Sequence, residues 1–124
     1  MPDQPPRLRI RFEFDGRHTL GPGKVQLLEA VGELGSISAA ARATGMSYRH
    51  AWELLDDVNR CFAGRVLETE AGGRSGGGAQ LTDFGRELIR RYRAMQAKAG
   101  DALAADLASL DALRSSPETD GASS

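Results

Sequence analysis

Cysteine is almost missing from this chain: Cys61 is the single one among 124 residues. That excludes a disulfide framework and a thiolate metal cluster. Beside Phe62, Cys61 reads as a small buried hydrophobe rather than a reactive thiol. Long apolar runs are missing too, since none approaches the ~20 residues of a membrane span. The opening Met1-Pro-Asp-Gln-Pro-Pro also lacks a signal-peptide core. The expected location is therefore the cytoplasm, with no membrane partner. Charge of one sign is missing as well: 16 Lys and Arg oppose 17 Asp and Glu, a net of −1. Such a chain has little non-specific pull on a polyanion, so any nucleic-acid binding has to come from well-placed contacts. The distribution matters more than the sum. Residues 1–95 hold 14 cations against 12 anions, whereas residues 96–124 hold 2 against 5.

Catalytic constellations are lacking. Asp56-Asp57 and Glu68/Glu70 are carboxylate pairs on which no His, Ser or Cys converges, and they read as solvated faces. No enzyme, metal or cofactor is expected. Glycine is plentiful, yet the Walker pattern is absent, because Gly23-Lys24 is followed by Val25. The run from Gly72 to Gly78 is not a dinucleotide fingerprint either, since it leads into strand-like Ala79-Gln-Leu rather than a helix.

What is present is concentrated between Gly35 and Trp52. Ser36 is a good N-cap, Ala39-Ala40-Ala41 is small enough for another helix to approach, and Gly45 can end a helix in the left-handed conformation. Ser47 can cap a second helix, with Met46 turned inward. This layout is two short helices around a tight turn, the arrangement that inserts a helix into a DNA major groove. The second helix carries Tyr48, Arg49, His50 and Trp52 in its first turns. An arginine there can bond guanine bidentately, and aromatics can meet a thymine methyl. Tyr48 and Trp52, four residues apart, can equally staple the helix to the domain, and for Trp52 the two readings balance. The hydroxyls of Ser36 and Ser38 can cap their helix, clamp a DNA phosphate, or both.

The surrounding chain reads as an α+β frame. Leu8, Ile10, Phe12 and Phe14 alternate with charged residues as a strand, and Asp15-Gly16 turns it toward His18-Thr19-Leu20. Pro22 opens a helix whose apolar face is Val25, Leu27, Leu28, Val31 and Leu34. The helix from Ser47 continues to about Phe62, with Ala51, Leu55, Val58 and Phe62 inward. Residues 65–70 and 79–82 read as strands joined by a glycine loop that carries Arg74 and Ser75. A thin loop with one arginine suits contact with phosphates or a minor groove. From Thr82 a long helix repeats Phe84, Leu88, Tyr92, Met95, Ala99, Leu103, Leu107 and Leu110 at spacings of three to four residues, weakened at Gly100. The expected division is a hairpin over 1–21, a helix-turn-helix with wing over 22–82, a long helix over 83–113, and a disordered tail over 114–124.

Taken together, Gly35-Ser-Ile-Ser-Ala-Ala-Ala, Met46-Ser-Tyr-Arg-His-Ala-Trp, Asn59 and Gly72-Gly-Arg-Ser-Gly-Gly-Gly-Ala-Gln-Leu-Thr82-Asp-Phe-Gly85 resemble the N-terminal domain of the ModE family. These are the bacterial molybdate-responsive transcriptional regulators. The first part also resembles, more broadly, the winged-helix heads of LysR-type regulators. The ModE resemblance, spanning Gly21 to Met95, implies a winged helix-turn-helix that dimerises through the long helix and binds a palindromic operator in double-stranded DNA. It implies Ser47, Tyr48 and Arg49 as major-groove readers and Arg74 as the wing contact. Phe84, Leu88, Tyr92, Met95 and Leu103 then form the dimer seam. The family's oxyanion-binding domains belong after the long helix, where these residues hold a short acidic tail. The expectation is a stand-alone DNA-binding module, or one whose signal arrives through a separate sensor protein. Two rival readings remain: a winged-helix scaffold that binds proteins without DNA, and a sensor holding a small ligand between its long helices.

Overall fold

The computed structural model describes residues 4–70 and 78–115. Three helices form the centre: α1 (Pro22–Leu34), α2 (Ile37–Ala43) and α3 (Tyr48–Cys61). Each boundary has a local cause. Pro22 is the first residue of α1, where its missing N–H is no loss. Gly35 ends that helix at φ 79°, and Gly45 turns the chain between α2 and α3 at φ 74°. Ser36 caps α2 by accepting from the Ala39 N–H at 3.0 Å, and Ser47 caps α3 by accepting from His50 N–H at 3.0 Å. Leu27, Leu28 and Val31 of α1, Ile37, Ala40 and Ala41 of α2, and Ala51, Leu55 and Val58 of α3 share one core cluster. The three alanines keep the helices close. Met46 packs against this cluster, as its position in the turn requires. Leu34, expected on the inner face of α1, is instead 47% exposed at the helix end.

Two antiparallel hairpins flank the helices. The first pairs β1 (Phe12–Phe14) with β2 (His18–Leu20). Its turn has positive φ at both Asp15 and Gly16, closed by Arg17 N–H donating to Phe14 O at 3.1 Å. The second pairs β3 (Leu67–Thr69) with β4 (Ala79–Leu81), Leu67 opposite Leu81 and Thr69 opposite Ala79. Val66, Leu67 and Ala79 turn into the main core while Glu68 and Gln80 face out. This is the wing, and the whole is an α+β winged helix.

Thr82 then caps α4 (Asp83–Ala102), accepting from Gly85 N–H at 2.9 Å. The long helix expected over 83–113 is observed in two parts. At Leu103 (φ −102°, ψ 7°) the backbone leaves helical geometry, and α5 (Ala104–Asp111) follows. Gly100 lies inside α4 without breaking it. A second correction concerns Tyr92, placed in a dimer seam on the strength of the ModE resemblance. It is 1% exposed, packed with Leu20 and Val25 and edge-on to Phe12 at 6.0 Å. Its hydroxyl donates to Ile10 O at 2.6 Å. The N-terminal segment covers that side of α4, so the ring fills this protein's own core. Gln96 holds the same segment through Leu8 O at 3.4 Å, and Arg93 clasps Glu29 of α1 with two bonds of 2.9 and 2.7 Å.

Candidate nucleic-acid interface

The amino end of α3 stands clear of the core. Ala51, Leu55 and Val58 occupy its inner side, which leaves the preceding turn outward. Tyr48 is 54% exposed and Trp52 47%, and Ser47 and His50 are exposed beside them. The Arg49 side chain is 89% exposed, with a 3.5 Å contact to Glu53 one turn on. An open pair of that kind contributes little and is readily exchanged for a phosphate or a base edge. No acidic residue lies in the first turn of α3, so the positive end of the helix dipole is not cancelled there. Trp52 is partly exposed and partly packed. Beside its exposed part it lines a shallow hollow with Ile37, Leu55, Asn59 and Leu67, where α3 meets the wing. On α2, Ser36 is half-buried with its oxygen engaged in capping, and Ser38 is exposed.

The base of the wing is fixed to the helical centre by polar contacts that no local sequence pattern announces. Asn59 Oδ1, near the end of α3, accepts from Val66 N–H at 2.8 Å. Ala79 N–H donates to Gly35 O at 2.9 Å, joining β4 to the junction of α1 and α2. Thr82 donates its hydroxyl to Arg65 O at 2.5 Å and its N–H to Val66 O at 3.1 Å. Gly85 lies directly beneath, where a Cβ would stand 2.2 Å from Val66 O. The start of β3 is therefore tied to α3, and β4 to the junction of α1 and α2. Arg74 and Ser75, expected at the wing tip, lie outside the described residues.

One reading of the acidic residues is corrected. Asp57 is not simply on a solvated face. It accepts from Lys24 Nζ at 2.5 Å and sits 3.0 Å from His18 Nδ1, joining α3 to α1 and to β2. Burial raises its pKa, but the hydrogen bonds and charges of Lys24 and His18 outweigh this and hold the carboxyl below its usual 3.8. Asp57 missed detection because its partners lie 33 and 39 residues away. Asp56 is half-buried and paired with Arg60 of the same helix at 2.8 Å, and Glu68 and Glu70 are exposed. Cys61 is half-buried, and burial together with the Asp57 and Asp15 carboxylates raises its thiol pKa, which disfavours the thiolate.

Among the described residues no group of three or more His, Cys, Asp or Glu could hold a metal ion. No helix among them is long and apolar enough to cross a membrane.

The Phe84, Leu88 and Met95 side of α4 borders an open apolar groove of about 590 Å³, whose other walls include Phe12, Phe14 and Phe62. Phe84 is 39% exposed and Met95 43%. Leu88 is half-buried against both core clusters, and Leu103 is 38% exposed.

Comparison with known proteins agrees with this geometry. The molybdenum transport protein ModE of Azotobacter vinelandii is 38% identical over 95 residues, covering 77% of this chain and 35% of that protein. The transcriptional regulator ModE of Yersinia pestis is 39% identical over 107 residues, covering 84% and 41%. The molybdenum-pterin-binding protein MopB of Rhodobacter capsulatus is 46% identical over 78 residues, covering 63% and 29%. The chain thus spans about a third of the length of the curated relatives it matches. Among solved structures, that of the CbnR_DBD-DNA complex superposes with a TM-score of 0.52 at 23% identity, covering 67% of this chain and 93% of that one. This likeness supports the winged-helix fold. Residues 23–86 match the model of the bacterial regulatory helix-turn-helix proteins, lysR family, and with over half its length inside that match the chain belongs to this family.

Proposed function

We propose that this protein is a sequence-specific, DNA-binding transcriptional regulator of the ModE type, controlling genes of molybdenum or related metal-cofactor use. The observation that carries the reading is the amino end of α3, where Ser47, Tyr48, Arg49 and Trp52 project from a helix whose opposite side is locked in the core. In this reading Arg49 bonds a guanine edge and Tyr48 and Trp52 meet thymine methyls or sugars. Ser47, His50 and Ser38 contact phosphates, with Ser36 placing its helix end toward them. Arg74 and Ser75 of the wing follow the backbone or the adjacent minor groove. The protein acts in the cytoplasm as a homodimer through the outer side of α4, with Phe84, Leu88, Met95 and Leu103 in the seam. Two reading helices then meet half-sites of a palindrome ~34–36 Å apart. The signal arrives in other domains or from a separate sensor protein.

The test is binding of selected genomic fragments, titrated at several salt concentrations. Arg49→Ala is expected to weaken the specific site by ~1–3 kcal/mol and to relax preference at one base position. An Arg49→Ala protein that keeps the wild-type ratio of specific to random binding would refute the assignment. The second reading, a winged scaffold that binds proteins only, is favoured by the net charge of −1. It requires an absence of salt-linked DNA affinity in the same titration.

A further inference from the structure

Between α3 and the wing runs a furrow of about 140 Å³, bordered by Ile37, Trp52, Asn59, Arg65 and Thr69. We propose that this furrow is a backbone site for DNA, in which Arg65 binds a phosphate of the strand that divides the two grooves the protein meets. The proposal rests on the DNA-binding reading above. It adds a contact away from both the amino end of α3 and the wing tip.

The form of a duplex supports this placement. One sugar–phosphate strand separates a major groove from the minor groove beside it. With α3 in the first and the wing at the second, that strand has to pass between them, over the furrow. The floor there is apolar, from Ile37, Leu55 and Leu67, and the rim carries polar groups. From Trp52 to Asn59 the helix rises ~10 Å, long enough for one sugar and the phosphate beside it. The exposed part of the Trp52 ring can rest on that sugar.

Charge selects Arg65 as the phosphate contact. It is exposed and makes no ion pair among the described residues, whereas Arg49, Arg60, Arg86 and Arg93 each hold a carboxylate. Asp56, the acid that borders the furrow, is taken up by Arg60 at 2.8 Å. Asn59 supplies a second donor. Its Oδ1 accepts from Val66 N–H at 2.8 Å, and its amide N–H groups have no acceptor among the described residues. The backbone that presents Arg65 is anchored, since its own O accepts from the Thr82 hydroxyl at 2.5 Å. On the outer face of the wing the same side chain borders Glu68 and Glu70. Those carboxylates repel a phosphate there and leave the α3 side as the favourable one.

The test titrates a duplex recovered from selected genomic fragments, and a random duplex, with the full chain as wild type, Arg65→Ala and Arg65→Lys at several salt concentrations. Arg65→Ala is expected to bind both duplexes about tenfold more weakly. Its slope of log affinity against log salt should be smaller by about 1. Arg65→Lys keeps the charge and is expected to keep the slope. Single neutral methylphosphonates are then placed in turn along the strand. One position should weaken the wild type and leave Arg65→Ala unaffected, a signature that a merely structural role lacks. An unchanged slope in Arg65→Ala, or equal methylphosphonate sensitivity of the two proteins at every position, overturns the site while leaving the DNA-binding reading intact. A wild type without salt-linked affinity for DNA overturns both.

Discussion

Gly85→Ala tests the packing between wing and long helix at its tightest point. An alanine Cβ at this position would lie 2.2 Å from the Val66 carbonyl oxygen and 3.1 Å from its carbon, where ordinary contacts begin near 3.4 Å. The obstacle is backbone, so no rotamer change relieves it, and β3 and α4 must separate by roughly 1 Å, at an overpacking cost of ~1–3 kcal/mol. That movement also stretches the Thr82 N–H to Val66 O bond (3.1 Å) and the Thr82 hydroxyl to Arg65 O bond (2.5 Å), each contributing ~1 kcal/mol. Against this stands the helix preference for alanine over glycine, at most ~1 kcal/mol and less in a first turn. The clash wins, and the net destabilisation is ~2–3 kcal/mol, or a fall of ~8–12 °C in Tm for a domain of this size. Urea denaturation followed by far-UV circular dichroism measures it. Gly23→Ala is the internal control: it is also helical, with nothing within 4 Å of its Cβ position, and is expected to be neutral or stabilising by a few tenths of a kcal/mol. If Gly85→Ala proved as stable as Gly23→Ala, the close approach of Val66 to α4 would be wrong.

Other perturbations follow from the same contacts. Tyr92→Phe removes the hydroxyl bonded to Ile10 O and leaves that carbonyl unpaired, so stability should fall by ~1 kcal/mol with the association state unchanged. A loss of dimer would return the ring to the seam. Asn59→Ala leaves Val66 N–H without its 2.8 Å acceptor and should cost ~1–3 kcal/mol, with faster amide exchange at Val66 as the specific sign. Asp57 has a folded pKa below its ordinary 3.8, so the stability it contributes is complete above about pH 4 and is lost as pH falls through the folded value. Asp57→Asn is therefore expected to be less stable than wild type at neutral pH and to show a shallower decline in stability below pH 4. Parallel acid-denaturation curves would contradict the Lys24–Asp57–His18 junction. Ser47→Ala should cost ~1 kcal/mol by removing the α3 cap, and it should also raise amide exchange in the first turn of that helix.

Local chemistry determined most of the fold here. Caps at Ser36, Ser47 and Thr82, left-handed turns at Gly35 and Gly45, and Pro22 at a helix start act within one turn of chain, so the residues alone placed α1 to α4 and both hairpins. The inner faces of α1 and α3 were legible for the same reason, because helical period fixes which side is apolar. Exposure of Tyr48 and Arg49 followed from that period, while the half-covered state of Trp52 did not, since it depends on how near Ile37 and Leu67 come. Tertiary structure alone decided three further matters. Tyr92 belongs to the core because the N-terminal segment, 82 residues earlier, lies over α4 and offers Ile10 O to its hydroxyl. Asp57 is a junction because Lys24 and His18 arrive from other elements. The wing is anchored at two places because Asn59 of α3 accepts from Val66 N–H just before β3, and Gly35 at the α1–α2 junction accepts from Ala79 N–H of β4. Periodicity records which side of an element avoids water. Which distant segment comes to cover that side is settled only when the whole chain packs.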